Sequence, residues 1–146
     1  MYYGRYFSGS AKLQPQPFGA DDLLSNPANA ELTQMKYEYY PQVRENVLRK
    51  AAKDSHGELL ITENGVATAD DERWIDFIDE ATDGVVGCIQ DGLPLKGYCY
   101  WSLLDNFERQ KGYAMTFGRI AEERQNGLRR ISKKSLKFFG SLREKQ

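Results

Sequence analysis

Two short apolar runs, Glu58-Leu59-Leu60-Ile61-Thr62 and Lys96 to Ser102, flank a single amphipathic stretch of helical length. Nothing else in the chain constrains its fold as much. Between the runs, Asp71 to Gln90 carries Trp74, Phe77, Ile78, Ala81, Val85, Cys88 and Ile89 at i, i+3, i+4, i+7 spacing, weakened locally by Gly84 and Gly87. A strand, a helix and a strand in this order make a right-handed βαβ unit of a parallel sheet.

The remaining segments extend that pattern. Tyr2 to Phe7 is aromatic enough for a strand, and residues 8–39 form a long irregular loop punctuated by Pro15, Pro17, Gly19 and Pro27. A helix is expected from Tyr40-Pro41 to Gly57, a short strand at Phe117 to Ile120, and a closing helix from Ser132 to Leu142. The strands Tyr2–Phe7, Leu59–Thr62 and Gly97–Ser102 are expected to lie parallel and adjacent. A closed barrel of eight βα units takes about 250 residues, so 146 residues hold roughly three. The expected fold class is α/β, with residues 1–146 as one incomplete domain, a partial (β/α)8 barrel with outer helices.

Charge and composition narrow the function. Twenty basic and 21 acidic residues leave a net charge of −1, which argues against nucleic acid as a partner. No run approaches the roughly 18 apolar residues of a membrane helix. Cys88 and Cys99, with His56 as the sole histidine, make neither a disulfide scaffold nor a zinc site, so we expect no metal, no cofactor and a cytoplasmic location. Both thiols are expected to be buried. The basic residues from Arg129 to Lys145 read as a solvated helix face.

Reacting groups in βα folds gather where strands end. Glu63-Asn64-Gly65 closes the first apolar run; taken alone, it reads more simply as an ordinary turn beside a solvated charge. Tyr100-Trp101-Ser102-Leu103-Leu104-Asp105-Asn106-Phe107-Glu108 closes the second. An indole and carboxylates together suit a sugar, one offering a flat apolar face and the others accepting paired hydroxyl donors.

These two segments, with Gly112-Tyr113 and Phe117-Gly118, resemble the C-terminal part of family 1 glycoside hydrolases, the retaining β-glucosidases and β-galactosidases. The likeness spans nearly the whole chain and about the last third of such an enzyme. It implies that Glu63 is the nucleophile and that Tyr3 hydrogen-bonds and orients it. Trp101 matches the indole beneath the sugar, and Glu108 the carboxylate that chelates the 4- and 6-hydroxyls. Tyr37 falls where a tryptophan usually flanks the aglycone. Glu108 implies unphosphorylated terminal β-linked sugars, since its charge repels a phosphate.

Several positions depart from the family pattern. Arg109 replaces a tryptophan, Met1 stands at the place of an asparagine, and Arg119 and Glu122 replace apolar residues beside a strand. Burying either charge unpaired is costly. A retaining mechanism needs a second carboxyl group about 5–5.5 Å from the nucleophile. The family carries it in a Thr-x-Asn-Glu-Pro segment, and no Asn-Glu-Pro occurs in these 146 residues. The sequence is therefore expected to be a truncated β-glycosidase acting on a β-glycoside. The alternatives are an inactive carbohydrate-binding or scaffold remnant and one half of a split enzyme completed by an N-terminal barrel fragment. Leu59 and Ile61, on the same side of their strand as Glu63, are expected to face the open interior, and unpaired sheet edges to favour self-association.

Overall fold

The computed structural model describes residues 30–55 and 57–142. The expected strand Tyr2–Phe7, and with it Met1, Tyr3 and His56, lies outside them. Of the 8–39 span, only residues 30–39 are described, and they contain a small hairpin closed by a Leu32–Glu38 bridge.

Helix α1, Val43–Asp54, follows Pro41 and buries Leu48 on its inner face. Its outer side carries the i, i+4 pair Lys50–Asp54, whereas Glu45 and Arg49, also paired i, i+4, lie against α2, Glu45 over Gly84 and Arg49 bonded to Asp91 at 2.7 Å. Strand β1, Leu59–Ile61, follows. Helix α2, Asp71–Gln90, starts where the Asp70 carboxylate accepts the Glu72 amide at 3.0 Å. It ends at Asp91-Gly92, whose glycine takes φ +82° to turn the chain toward β2, Leu95–Tyr98. The buried face of α2, Trp74, Phe77, Ile78, Ala81, Val85 and Cys88, is the one its spacing predicts except at Ile89, which is 51% exposed in the last turn.

Strands β1 and β2 pair in parallel, with Leu59 opposite Leu95, Leu60 opposite Gly97 and Ile61 opposite Tyr98. Ile61 packs with Leu48, Val85 and Cys88 beneath α1 and α2, and Leu59, Leu93, Leu95 and Tyr98 extend that cluster. The expected orientation of Leu59 and Ile61 is thus reversed. They meet the helices, whose apolar stripes take the odd-numbered residues, and Leu60 is left 58% exposed on the opposite face. There its side chain lies over Gly97, where a Cβ would come within 2.6 Å of Leu60 Cδ1.

The end of the chain also differs from expectation. Ile120–Glu123 forms β3 and Arg129–Ser132 forms β4, an antiparallel hairpin with Ile120 opposite Ser132 and Glu123 opposite Arg129. Left-handed backbone at Gly127 and Leu128, φ +66° and +61°, turns it. Arg129 and Arg130 therefore lie on an exposed strand and not on a helix. The closing helix, α3, runs from Lys134 to Ser141. Phe138, Phe139 and Leu142 join Tyr39 and Tyr100 around a second core of Val66, Trp74, Phe77 and Ile78. Cys88 is buried as expected, but Cys99 is exposed, because β2 ends at Tyr98 and the next side chain turns out of the helix layer.

Candidate active site

Past their last paired residues, the two parallel strands stay hydrogen-bonded. Cys99 N–H donates to Ile61 O at 2.7 Å, and Trp101 N–H to Asn64 O at 2.7 Å. This brings Glu63, half-buried, and Trp101, 40% exposed, to the same carboxyl end of the sheet. Asn64 is 1% exposed and donates its side-chain amide to the Tyr98 hydroxyl at 2.6 Å. Burial pushes the Tyr98 phenol up in pKa, and the Asn64 bond works against that shift. Residue 64 is thus tied by both main chain and side chain to the neighbouring strand. The turn reading of Asn64 gave no sign of this.

The Trp101–Ser102 peptide is cis. Ser102, 8% exposed, donates its hydroxyl to Leu104 O at 2.7 Å and lies 3.4 Å from Asn106 Oδ1. The Asn106 amide in turn donates to Glu108 Oε1 at 2.8 Å. This chain of polar contacts orients a half-buried carboxylate that has about four acceptor sites in all. Asp105 turns away to accept the Gly118 amide at 2.7 Å. A Cβ on Gly118 would lie 2.2 Å from Asp105 N, so only glycine permits that approach.

Tyr37 sits in the 32–38 hairpin, with its amide on Thr33 Oγ1 at 3.2 Å and its carbonyl accepting Thr33 N–H at 2.9 Å. Gln34, which no sequence signal marks, ties this hairpin to the rim. Its amide reaches Ala67 O at 3.0 Å, and its side-chain oxygen accepts both Thr116 N–H and Oγ1–H, at 3.0 and 2.7 Å. Tyr37, Glu63, Trp101 and Glu108 thus stand on segments linked to the sheet's carboxyl end. Tyr3 lies outside the described residues. Among the described residues, no three His, Cys, Asp or Glu side chains gather in a metal-binding group, and no helix is long and apolar enough to cross a membrane.

The two departures beside the site are accommodated. Arg119, 8% exposed, stacks its guanidinium over Phe139 at 4.3 Å and Tyr100 at 5.4 Å. Glu122 pairs with Arg124 at 3.0 Å.

The family model described as glycosyl hydrolase family 1 matches residues 6–146. The chain belongs to glycosyl hydrolase family 1. Among its family 1 relatives, the 1,4-beta-D-glucan glucohydrolase of Thermotoga neapolitana is 39% identical over 125 residues, covering 78% of this chain and 28% of the relative. Beta-glucosidase 42 of Arabidopsis thaliana is 35% identical over 108 residues, 66% of this chain and 22% of the relative. Among solved structures, apo beta-glucosidase 1317 superposes with a TM-score of 0.80 at 40% identity, over 84% of this chain and 30% of its own. The beta-glucosidase from Thermotoga maritima in complex with glucoimidazole gives 0.74 at 33% identity, over 82% and 29%. This family 1 chain spans less than a third of the length of these relatives.

Proposed function

We propose that the chain carries the nucleophile side of a retaining β-glycosidase site for terminal, unphosphorylated β-linked sugars. In this reading β1, α2 and β2 are one unit of a partial (β/α)8 barrel, and the site opens at its carboxyl rim. Glu63 attacks the anomeric carbon, the bond to the leaving oxygen breaks, and a glycosyl ester forms on Glu63. Water then displaces Glu63 from the same carbon. Trp101 offers its face to the sugar, Glu108 accepts ring hydroxyls, Tyr37 borders the aglycone, and Tyr3 orients Glu63.

The observation that supports this most is the Trp101 N–H to Asn64 O bond of 2.7 Å, which couples the Glu63 turn to the indole. The acid/base carboxyl group comes from a complementing barrel segment, since these residues contain no Asn-Glu-Pro. A general acid or base contributes about 10²–10⁴-fold, so the 146-residue chain is expected to hydrolyse ordinary aryl β-glucosides poorly.

An activated 2-deoxy-2-fluoro-β-glucoside with a dinitrophenolate leaving group needs no acid. Incubated with the chain, alone and with the N-terminal portion of a family 1 β-glucosidase, it should add a fluoroglucosyl ester to Glu63, read by peptide mass mapping. Glu63→Gln should stay unlabelled. Labelling at another carboxylate refutes Glu63 as the nucleophile, and no labelling under either condition refutes the assignment in favour of a non-catalytic carbohydrate-binding remnant.

A further inference from the structure

Residues 107–113 form a closed loop. Glu108 and Gly112 exchange backbone hydrogen bonds of 2.8 and 2.7 Å, and φ of +62° at Gly112 makes the reversal. Phe107 and Tyr113 flank the closure and meet edge to face, centroids 5.0 Å apart, although 57% and 56% of their surfaces are exposed. An exposed aromatic pair is a weak clasp, because each ring keeps most of its contact with water.

A second contact reaches this clasp from a distant part of the chain. Arg124 lies in the turn between β3 and β4, and its guanidinium carbon is 3.5 Å from the centre of the Tyr113 ring. Glu122, its side chain 16% exposed, holds Arg124 Nη2 at 3.0 Å. A planar guanidinium serves both partners at once, stacking by its face and donating by its edge. A lysine ammonium has no such plane. The ion pair limits the orientations open to Arg124, Arg124 covers one face of Tyr113, and Tyr113 braces Phe107, the residue before Glu108.

We propose that Arg124 is a positioning residue for Glu108: stacked on Tyr113 and pinned by Glu122, it holds the 107–113 loop in the form that presents the Glu108 carboxylate. This rests on the reading of Glu108 as the hydroxyl-binding carboxylate. Asn106 orients the carboxylate from inside the loop, at 2.8 Å from Oε1, and Arg124 steadies the loop from outside. The β3–β4 hairpin, which bears no proposed reacting group, thereby sets affinity for the sugar without touching it.

Two measurements on the full chain test this. Arg109 and Lys111 are exposed trypsin sites within the loop, and Lys50 and Lys96 are exposed sites outside it. Arg124→Ala is expected to speed cleavage at Arg109 and Lys111 about 3- to 10-fold relative to Lys50 and Lys96, the scale of one lost cation–π contact. Tyr113→Leu should match it, and Arg124→Lys should restore part of the protection. In labelling by the fluoroglucoside, Arg124→Ala should raise the half-saturating concentration by a similar factor and leave the limiting rate within about twofold. Unchanged loop cleavage, equal acceleration at all four sites, or a fall in limiting rate with unchanged half-saturation each overturns the proposal. If the unmodified chain is not labelled at all, the Glu63 reading fails, and the cleavage ratio of Arg124→Ala and Arg124→Lys still decides whether Arg124 holds the loop.

Discussion

Trp101 donates its amide to the carbonyl of Asn64 at 2.7 Å, and its own carbonyl oxygen lies 2.0 Å from the point a Cβ on Gly65 would occupy. The segments after β1 and β2 therefore touch main chain to main chain. Only a residue without a side chain fits at 65, and the contact joins the Glu63 turn to the indole-bearing strand end.

Gly65→Ala tests the contact directly. The obstacle is backbone, which cannot swing aside as a flexible side chain does, so a loss of about 3 kcal/mol is expected. Gly140, in α3, has nothing within 4 Å of its Cβ position, and Gly140→Ala should instead stabilise by about 0.5–1 kcal/mol. Thermal unfolding followed by circular dichroism reads both. Equal melting temperatures for Gly65→Ala and the unmodified chain would show that the segments separate without cost.

The elements with strong periodicity were legible in the sequence. Helix α2 spans Asp71–Gln90 because six apolar residues at helical spacing and an aspartate cap agree with one another. The placement of Glu63 and Trp101 at one end of the sheet was legible too, since each closes an apolar run. What stayed hidden depends on partners far along the chain. The face that Leu59 and Ile61 take is not written in the sequence, because a three-residue strand alternates on both sides, and only the stripes of α1 and α2 decide which side is inner. The β3–β4 hairpin is hidden because Arg129, Arg130, Lys133 and Lys134 read as one basic helix face. The turn at Gly127-Leu128 depends on left-handed backbone at a leucine as well as at the glycine, and leucine gives no turn signal. Gln34 carries no pattern at all, yet it links three segments at the rim.

Asp71, in the first turn of α2, also anchors α3. Its carboxylate accepts the Ser135 amide at 3.1 Å and the Ser135 hydroxyl at 2.5 Å, and Ser135 is fully buried. Asp71→Ala leaves two buried donors unpaired at the first turn of α3. A loss of about 2–3 kcal/mol is expected, with amide exchange accelerated in α3 before it is in α2. Uniform acceleration in both helices would show that α3 has no independent docking step.

Alkaline stability should depend on Tyr39. Burial and the nearby charges of Glu80 and Asp76 push its phenol up to about 12, against the usual 10.0. Between those values the unfolded chain has lost the proton that the folded chain keeps. The folded state then binds more protons, and stability falls as pH rises through that window. Urea midpoints at pH 9, 10 and 11 should decline, and Tyr39→Phe should flatten the decline while giving up the 3.1 Å bond to Arg73 O. An equally steep decline in Tyr39→Phe would assign it to other groups, such as Tyr98 and Tyr100, which burial also raises.

Arg119 carries its charge into a nearly closed aromatic box. Its guanidinium carbon lies 4.3, 5.4 and 5.9 Å from the ring centres of Phe139, Tyr100 and Trp74, and Nε is 3.5 Å from Ser102 O. Burial lowers its pKa, opposed by the charge interactions with Tyr100 and Tyr98. Arg119→Met keeps the length of the stem and removes the charge, so stability should stay level or rise by about 1–2 kcal/mol. Phe139→Ala opens the box and strips one stacking face, for a loss of about 3 kcal/mol. The double variant measures the coupling, expected at about 1 kcal/mol in favour of the pair. A loss above about 2 kcal/mol for Arg119→Met alone would mean that the charge itself, and not the bulk of the side chain, holds α3 against Trp74 and Tyr100.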